Sequence, residues 1–464
     1  MSLSPMLDQV LRLVARPYAL APLPEPQLSH PYSTQAKLAY CLEQIRLTLS
    51  KGQTPSSARR DDFLTALAQL IKTAVSSERP DYSYLSQVLK HHSKDVQRYL
   101  ERLSTYKQDQ RVVQRHINAI AHPEKLKAMD PNSPKGHWES WYFLANAEQW
   151  SGLQRALTNW LALHSCQGVG ALLDIIQLPE LQQLLDFEQL SSTPDVQRYL
   201  HYRQQDGPLT GSPEAIAQGK RAQARGAHVE EQTQATLTDL AQSLRLVEQH
   251  DYRVVSAVHF PAHLIAGSQY AKTEWDALLL RKATTVDKQT IWDVCLLVEA
   301  KANPEAASTD LRRLLRGLAL LTDLPAHTSV YFSCEQGDIA LNSNSLLALA
   351  LEPSLKKRLL YCCPPSTTET LHRPSSALHA ASRMQLLCAP ASLNYAYRIQ
   401  QGADVHPHDL TTVWEDLLHS PHWRAVLYQY AHQQQVGELL VTTTALAQAI
   451  QETMSLSALS FLPR

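Results

Sequence analysis

From about Ser33 to His201 apolar residues recur at intervals of three and four, as in FLTALAQLIKTAV (Phe63 to Val75) and LQRALTNWLALH (Leu153 to His164). That spacing lays apolar side chains along one stripe of a helix, so the region reads as all-helical. Pro80, Pro123, Pro131, Pro134 and Gly168 punctuate it. A polar segment from Gln204 to Gly219, holding Gly207, Gly211 and Gly219, marks a boundary. Beyond it the pattern predicts a helix from about Ser212 to Gln249, broken near Gly226. Strands follow at Tyr252 to Pro261, Thr273 to Lys282 and Ile291 to Ala302. A helix from Pro304 to Leu321 and a strand at Thr328 to Cys334 come next. Helix, three strands, helix, strand describes an α/β unit around a small mixed sheet flanked by helices. Further on, the pattern predicts a helix from Ser345 to Leu359, short strands at Leu360 to Cys363 and Met384 to Ala389, and helices from Asp409 onward. The expected domains are a helical region 1–205, an α/β domain 206–400 and a helical extension 401–464.

Composition narrows the class. Of 464 residues, 44% are hydrophobic and 19% charged, as in ordinary globular chains. The net charge of -1 exerts no overall attraction on nucleic acid, so any basic footprint is local. Seven cysteines without Cys-x-x-Cys spacing imply reduced thiols in a cytoplasm, rather than a zinc site or a disulfide framework. The opening stretch to about Ala21 is interrupted by Asp8, Arg12 and Arg16, so an amphipathic helix is expected there and not a leader peptide. No stretch approaches the ~20 apolar residues of a membrane span.

Charges appear where core strands should carry none. Asp276 precedes the apolar run Ala277 to Leu280, and Glu299 and Lys301 close the run Val294 to Val298. Side chains alternate across a strand, so Glu274 shares a face with Asp276, and Glu299 shares one with Lys301. The polar loop Ala283 to Thr290 suits a hairpin that would bring these faces together. Clustered carboxylates drift toward protonation unless a cation neutralises them, and hard oxygen ligands favour Mg²⁺ or Mn²⁺ over zinc. Such an ion lowers the pKa of an attacking water, while a lysine stabilises charge growing in the transition state. The chemistry expected of the cluster is phosphodiester hydrolysis.

Asp276, a gap of 22 residues, then Glu299-Ala300-Lys301 resembles the D…(E/D)-x-K motif of the PD-(D/E)XK nuclease superfamily, the restriction-endonuclease-like proteins. The resemblance covers about Gly219 to Cys334 and departs from the literal Pro-Asp, because Trp275 precedes Asp276. It implies a PD-(D/E)XK-like α/β domain and a Mg²⁺-dependent hydrolase. Asp276 and Glu299 would be metal ligands and Lys301 the residue that orients or activates water. RGAHVEEQTQATLTDL looks like the family's Gly-x-x-x-Glu helix, with Gly226 and Glu230. Glu230 flanks the apolar face of Val229, Thr233, Leu237, Leu240 and Leu244, which favours it over Glu231 as a further ligand. The substrate implied is nucleic acid, DNA foremost, and cutting both strands with one site per chain implies a homodimer. Lys220, Arg221 and Arg225 before the site, and Arg312, Arg313 and Arg316 after it, are candidate phosphate contacts.

Plainer readings compete with each of these. Glu299 and Lys301 could form a weak strand-end ion pair, Glu274 a solvated neighbour, and Asp293 a surface residue near the loop. The stripe of Lys94, Arg98 and Arg102 could track phosphates or form the solvated side of a helix. His91-His92 and the His406 to Asp409 segment lack partners at ligand spacing and read as surface. No Walker, Rossmann, nucleophile-elbow or HExxH motif is present. The rival function is a nuclease-like scaffold without catalysis, with the helical region as a protein-partner platform.

Overall fold

A computed structural model of the chain describes residues 4–20, 23, 33–127, 135–163, 169–208, 211–265, 268–286, 289–365 and 378–460. The fold is mixed α/β and 68% helical, with a small open mixed sheet. Two compact units are present. One comprises Met1–Ala66, Thr210–Arg383 and Trp414–Arg464, the other Leu67–Leu209 and Met384–Val413. Among the described residues no helix is long and apolar enough to cross a membrane.

The first unit contains the sheet: β1 (Tyr252–His259), β2 (Glu274–Val286), β3 (Gln289–Ala300), β4 (Ser329–Phe332), β5 (Ile339–Asn342), β6 (Leu359–Cys363) and β7 (Leu440–Thr442). β1, β2 and β3 form an antiparallel meander. The other edge of β3 is divided between two parallel partners, β5 along Ile291 and Trp292 and β6 along Leu297 to Ala300. One face of the sheet is covered by the helix Pro304–Ala319 through Ala307, Leu311, Leu314 and Leu318. The long helix Pro213–Glu248 covers the other face through Leu237, Leu240 and Leu244, aided by the helices Pro5–Leu13 and Thr443–Ser460. A sheet buried on both faces explains why β3 reads as an almost continuous apolar run. It also makes the charge at its end costly to place there.

The structure departs from the expected organisation where apolar stripes find partners far along the chain. The expected edges at 205/206 and 400/401 do not coincide with the two units. The helix Pro5–Leu13 buries Met6, Leu7, Val10 and Leu11 in the α/β core, and the tail supplies β7 to the same sheet. The helix Pro390–Gln400 belongs to the helical unit, where the Tyr84 hydroxyl donates to the Ser392 carbonyl at 2.9 Å. Pairing of this kind is a property of three-dimensional packing and leaves no local periodicity.

Individual elements differ too. The long helix runs unbroken through Gly226, because one glycine costs only about 1 kcal/mol in a 36-residue helix. The hairpin strands extend to Val286 and from Gln289. Met384 to Ala389 is not a strand: most of it lies in the helix Ala380–Leu387. The strand after the helix Pro304–Ala319 pairs with β5, and the parallel neighbour of β3 beside Glu299 is instead β6.

The helical unit has its own cores. Val113, Ile117, Trp141, Trp150 and Leu157 form one, and Leu89, Val96, Tyr99 and Val196 another. Its basic stripe is partly satisfied internally, since Arg98 and Arg102 both pair with Asp186, at 2.6 and 2.9 Å. His92 stacks on Tyr397, and His406 caps its short helix together with Asp409.

Candidate active site

The hairpin pairs Ala277 with Val298, so Asp276 and Glu299 are the next neighbours across β2 and β3. Regular alternation slips at this point. Trp275 and Leu278 both face the core under the helix Pro304–Ala319, as do Val255 and Val258 on β1. Ala257, in the register gap opposite Asp276, takes a left-handed φ of 49°. A non-glycine residue in that region costs on the order of 1 kcal/mol or more and is retained only where surrounding structure enforces it. Here the slip seats Trp275 in the core and leaves Asp276 beside Glu299.

Five charged side chains meet. Lys301 Nζ lies 3.0 Å from Glu299 Oε2, 3.1 Å from Asp276 Oδ2 and 3.7 Å from Asp310 Oδ1. Lys272 donates to Glu299 Oε2 and sits 3.3 Å from Asp276 Oδ1 and 3.5 Å from Asp310 Oδ1. The backbone N–H of Ala300 donates to Asp276 Oδ2 at 2.8 Å, and the Tyr361 hydroxyl donates to Asp310 Oδ2 at 2.9 Å. β6 fixes the end of the lysine strand, because the Lys301 N–H donates to the Cys362 carbonyl at 2.9 Å. Glu299 is fully buried, and its Oε1 receives no hydrogen bond.

Burial pushes the Glu299 carboxyl up to about 8, and the negative charge of Asp276 adds to that against the pull of the two lysines. Burial also acts upward on Asp276, but the hydrogen bond from Glu299, the two ammoniums and the Ala300 N–H outweigh it and hold the group at about 2. Lys301 loses from burial and gains more from Glu299, Asp276 and Asp310, so its ammonium persists above the ordinary lysine range. Carboxylates pushed apart in this way are a recognised mark of functional sites. Burial thus favours the protonated form of Glu299, while Asp276 beside it stays ionised.

Lys272 and Asp310 have no counterpart among the residues expected from sequence. Asp310 stands one turn before Arg313 on the helix Pro304–Ala319, where the arginines draw attention first. Lys272 precedes β2, and its position depends on a contact invisible in sequence. Its N–H donates to the Arg313 carbonyl at 2.9 Å, and its own carbonyl lies 2.5 Å from where a β-carbon on Gly317 would stand. Gly317→Ala would ordinarily stabilise a helix by about 1 kcal/mol. Here the clash reverses the sign, and a net loss of ~1–3 kcal/mol is expected in urea unfolding. A gain in stability would show that this approach does not hold Lys272.

The remaining candidates are placed around this cluster. Glu230 is exposed and lines a cavity of about 260 Å³ together with Glu231, Ser256, Glu274, Asp276 and Glu335, without joining the lysine–carboxylate cluster. The Ser256 hydroxyl donates to Glu335 at 2.5 Å on the far wall. Glu274 lies 3.9 Å from His259. Asp293, expected at the surface, is buried, accepts from Asn342 at 2.8 Å and faces Arg281 at 3.6 Å. Lys220, Arg221, Arg225, Arg312, Arg313 and Arg316 are all exposed. Among the described residues no group of three or more His, Cys, Asp and Glu side chains is gathered as a cation cage. At the cluster itself, ammonium groups stand between the carboxylates. Comparison with protein-family models, curated proteins and solved structures found no match.

Proposed function

We propose that the chain is a cytoplasmic, divalent-cation-dependent phosphodiesterase with a PD-(D/E)XK-type core, hydrolysing nucleic acid and DNA foremost. The observation that carries the reading is the convergence of Asp276, Glu299 and Lys301 at the end of the β2–β3 hairpin, with Glu299 Oε1 buried and unpartnered. A buried carboxylate oxygen without a donor is an unusual cost, and a cation is the partner that would offset it. Hard oxygen donors on two strands suit Mg²⁺ or Mn²⁺. Asp276 and Glu299 would hold the ion, with Glu230 at the cavity rim as a further or water-mediated ligand. When bound, the ion would polarise a phosphate oxygen and acidify a water.

The chain's own residues supply the rest. Lys301 is kept charged by its carboxylate neighbours, so it donates and does not abstract protons. It orients the attacking water and stabilises negative charge growing on the phosphorus oxygens. Ala300 N–H and Lys301 pin one oxygen of Asp276, which fixes the carboxylate in the plane of the site. Lys220, Arg221 and Arg225 on the long helix, and Arg312, Arg313 and Arg316 on the helix after β3, are exposed cations that would meet phosphates on either side. In this reading the helical unit serves a protein partner, and a homodimer cuts both strands.

A second reading is a nuclease-like scaffold without catalysis. It is favoured by one observation, that Lys272 and Lys301 already pair with all three carboxylates. Incubating the full chain with supercoiled plasmid and with single-stranded DNA in Mg²⁺ or Mn²⁺ decides between them. Cleavage abolished by a chelator is expected. Intact DNA in every metal condition would leave the scaffold reading.

A further inference from the structure

We propose that Lys272 is a tethered substitute for the divalent ion. Its ammonium holds the carboxylates together in the metal-free chain and leaves Asp276 and Glu299 when a metal binds. The inference rests on the metal reading above and adds to it a built-in competitor. The ammonium touches carboxylates from three separate elements, Asp276 on β2, Glu299 on β3 and Asp310 on the helix Pro304–Ala319. Its side chain is only 11% exposed, so this is an interior position and not a surface pairing.

Occupancy favours exchange over addition. Both ammoniums already contact the two carboxylates that would hold the ion, Asp276 and Glu299. A divalent ion between those carboxylates would stand against two packed cations, and like charges at contact in an interior repel strongly. One lysine therefore withdraws.

The structure selects Lys272. The Lys301 ammonium also lies 5.8 Å from the centre of the Tyr361 ring, an attraction from outside the carboxylates that helps to keep it in place. Lys272 comes from the segment before β2, and all three ion-pair partners of its ammonium are carboxylates of the cluster itself. Gly317 keeps the Lys272 backbone against the helix, so withdrawal requires the side chain alone to move.

The test is Mn²⁺ binding by calorimetry, with thermal melting in chelator and in Mn²⁺, on the full chain and on Lys272→Met and Lys272→Gln. A like charge at this distance shifts an ionic equilibrium by ~10-fold or more, so both variants are expected to bind Mn²⁺ at least ~10-fold tighter than the wild type. They should also melt at a lower temperature in chelator and gain more from Mn²⁺. Lys272→Arg keeps the charge and guards against loss of the fold; it is expected to bind as the wild type does. Equal or weaker Mn²⁺ affinity in the Met and Gln variants overturns the competitor role while leaving the metal site standing. No Mn²⁺ binding by the wild type or any variant overturns the metal reading, and the inference falls with it.

Discussion

Asp276→Asn and Lys301→Met each reduce Mg²⁺-dependent cleavage by ~10²–10³-fold or more, the loss typical when a group aimed at transition-state charge is removed. Asparagine keeps the shape of aspartate, and its carbonyl can still accept from the Ala300 N–H, so the hairpin end is expected to stay in place. What disappears is a charged oxygen ligand and the partner of both ammoniums. Methionine preserves the apolar stem of Lys301 beside Tyr361 and deletes only the ammonium. Asp276→Asn should leave the far-ultraviolet circular dichroism spectrum unchanged. Lys301→Met should lower the melting temperature modestly, because an interior carboxylate loses a donor. The control is Glu274→Gln, on the same strand but half-exposed and outside the cluster, which should keep most of the activity. Turnover near wild type in either site variant, with the fold intact, would remove the proposed mechanism.

How much of this was written in the sequence depends on the range of the interaction that carries it. The hairpin, the long helix and the buried face of Val229, Thr233, Leu237, Leu240 and Leu244 are local patterns, and all five of those side chains are buried. The meeting of Asp276, Glu299 and Lys301 was legible too, because antiparallel pairing leaves few alternatives once the loop is recognised, whereas the slip that seats Trp275 in the core was not. The strands β5 and β7 were not, since IALN and LVT are too short to show a period. Nor was the membership of the first and last segments in the α/β unit, which depends on apolar stripes matching across hundreds of residues. Lys272 escaped for a sharper reason. It lies four residues before Asp276, a spacing with meaning on a helix and none before a strand, and only the close passage at Gly317 turns it inward. Asp293 shows the converse. Judged by position alone it belonged to the loop, yet Asn342 and Arg281 compensate its burial.

The second large effect is on the fold and not on the reaction. In chelator, the stability of the wild-type chain relative to Glu299→Gln falls as the pH rises from about 5 toward 8. Glu299 sits at about 8 in the folded chain, against 4.5 for the unperturbed group, because it is fully buried beside Asp276. A group whose folded value is raised binds its proton more tightly in the native state. Its contribution is therefore complete below the unfolded value and lost as pH climbs through the folded one. Asp276 and Lys301 leave this window clear. Asp276, depressed to about 2 from 3.8, contributes stability above its unfolded value that is lost only in more acid solution, and Lys301 titrates above 10.5. One proton then sets a slope of up to ~1.4 kcal/mol per pH unit between those limits. Glutamine resembles the protonated acid in size and in having a donor, so the variant matches the wild type near pH 5. It exceeds the wild type near pH 8, at the cost of the metal-binding charge and of cleavage. Urea unfolding across this range, with both proteins in chelator, measures the difference directly. Parallel curves for the two chains would mean that Glu299 is ionised throughout, with Lys272 and Lys301 outweighing its burial.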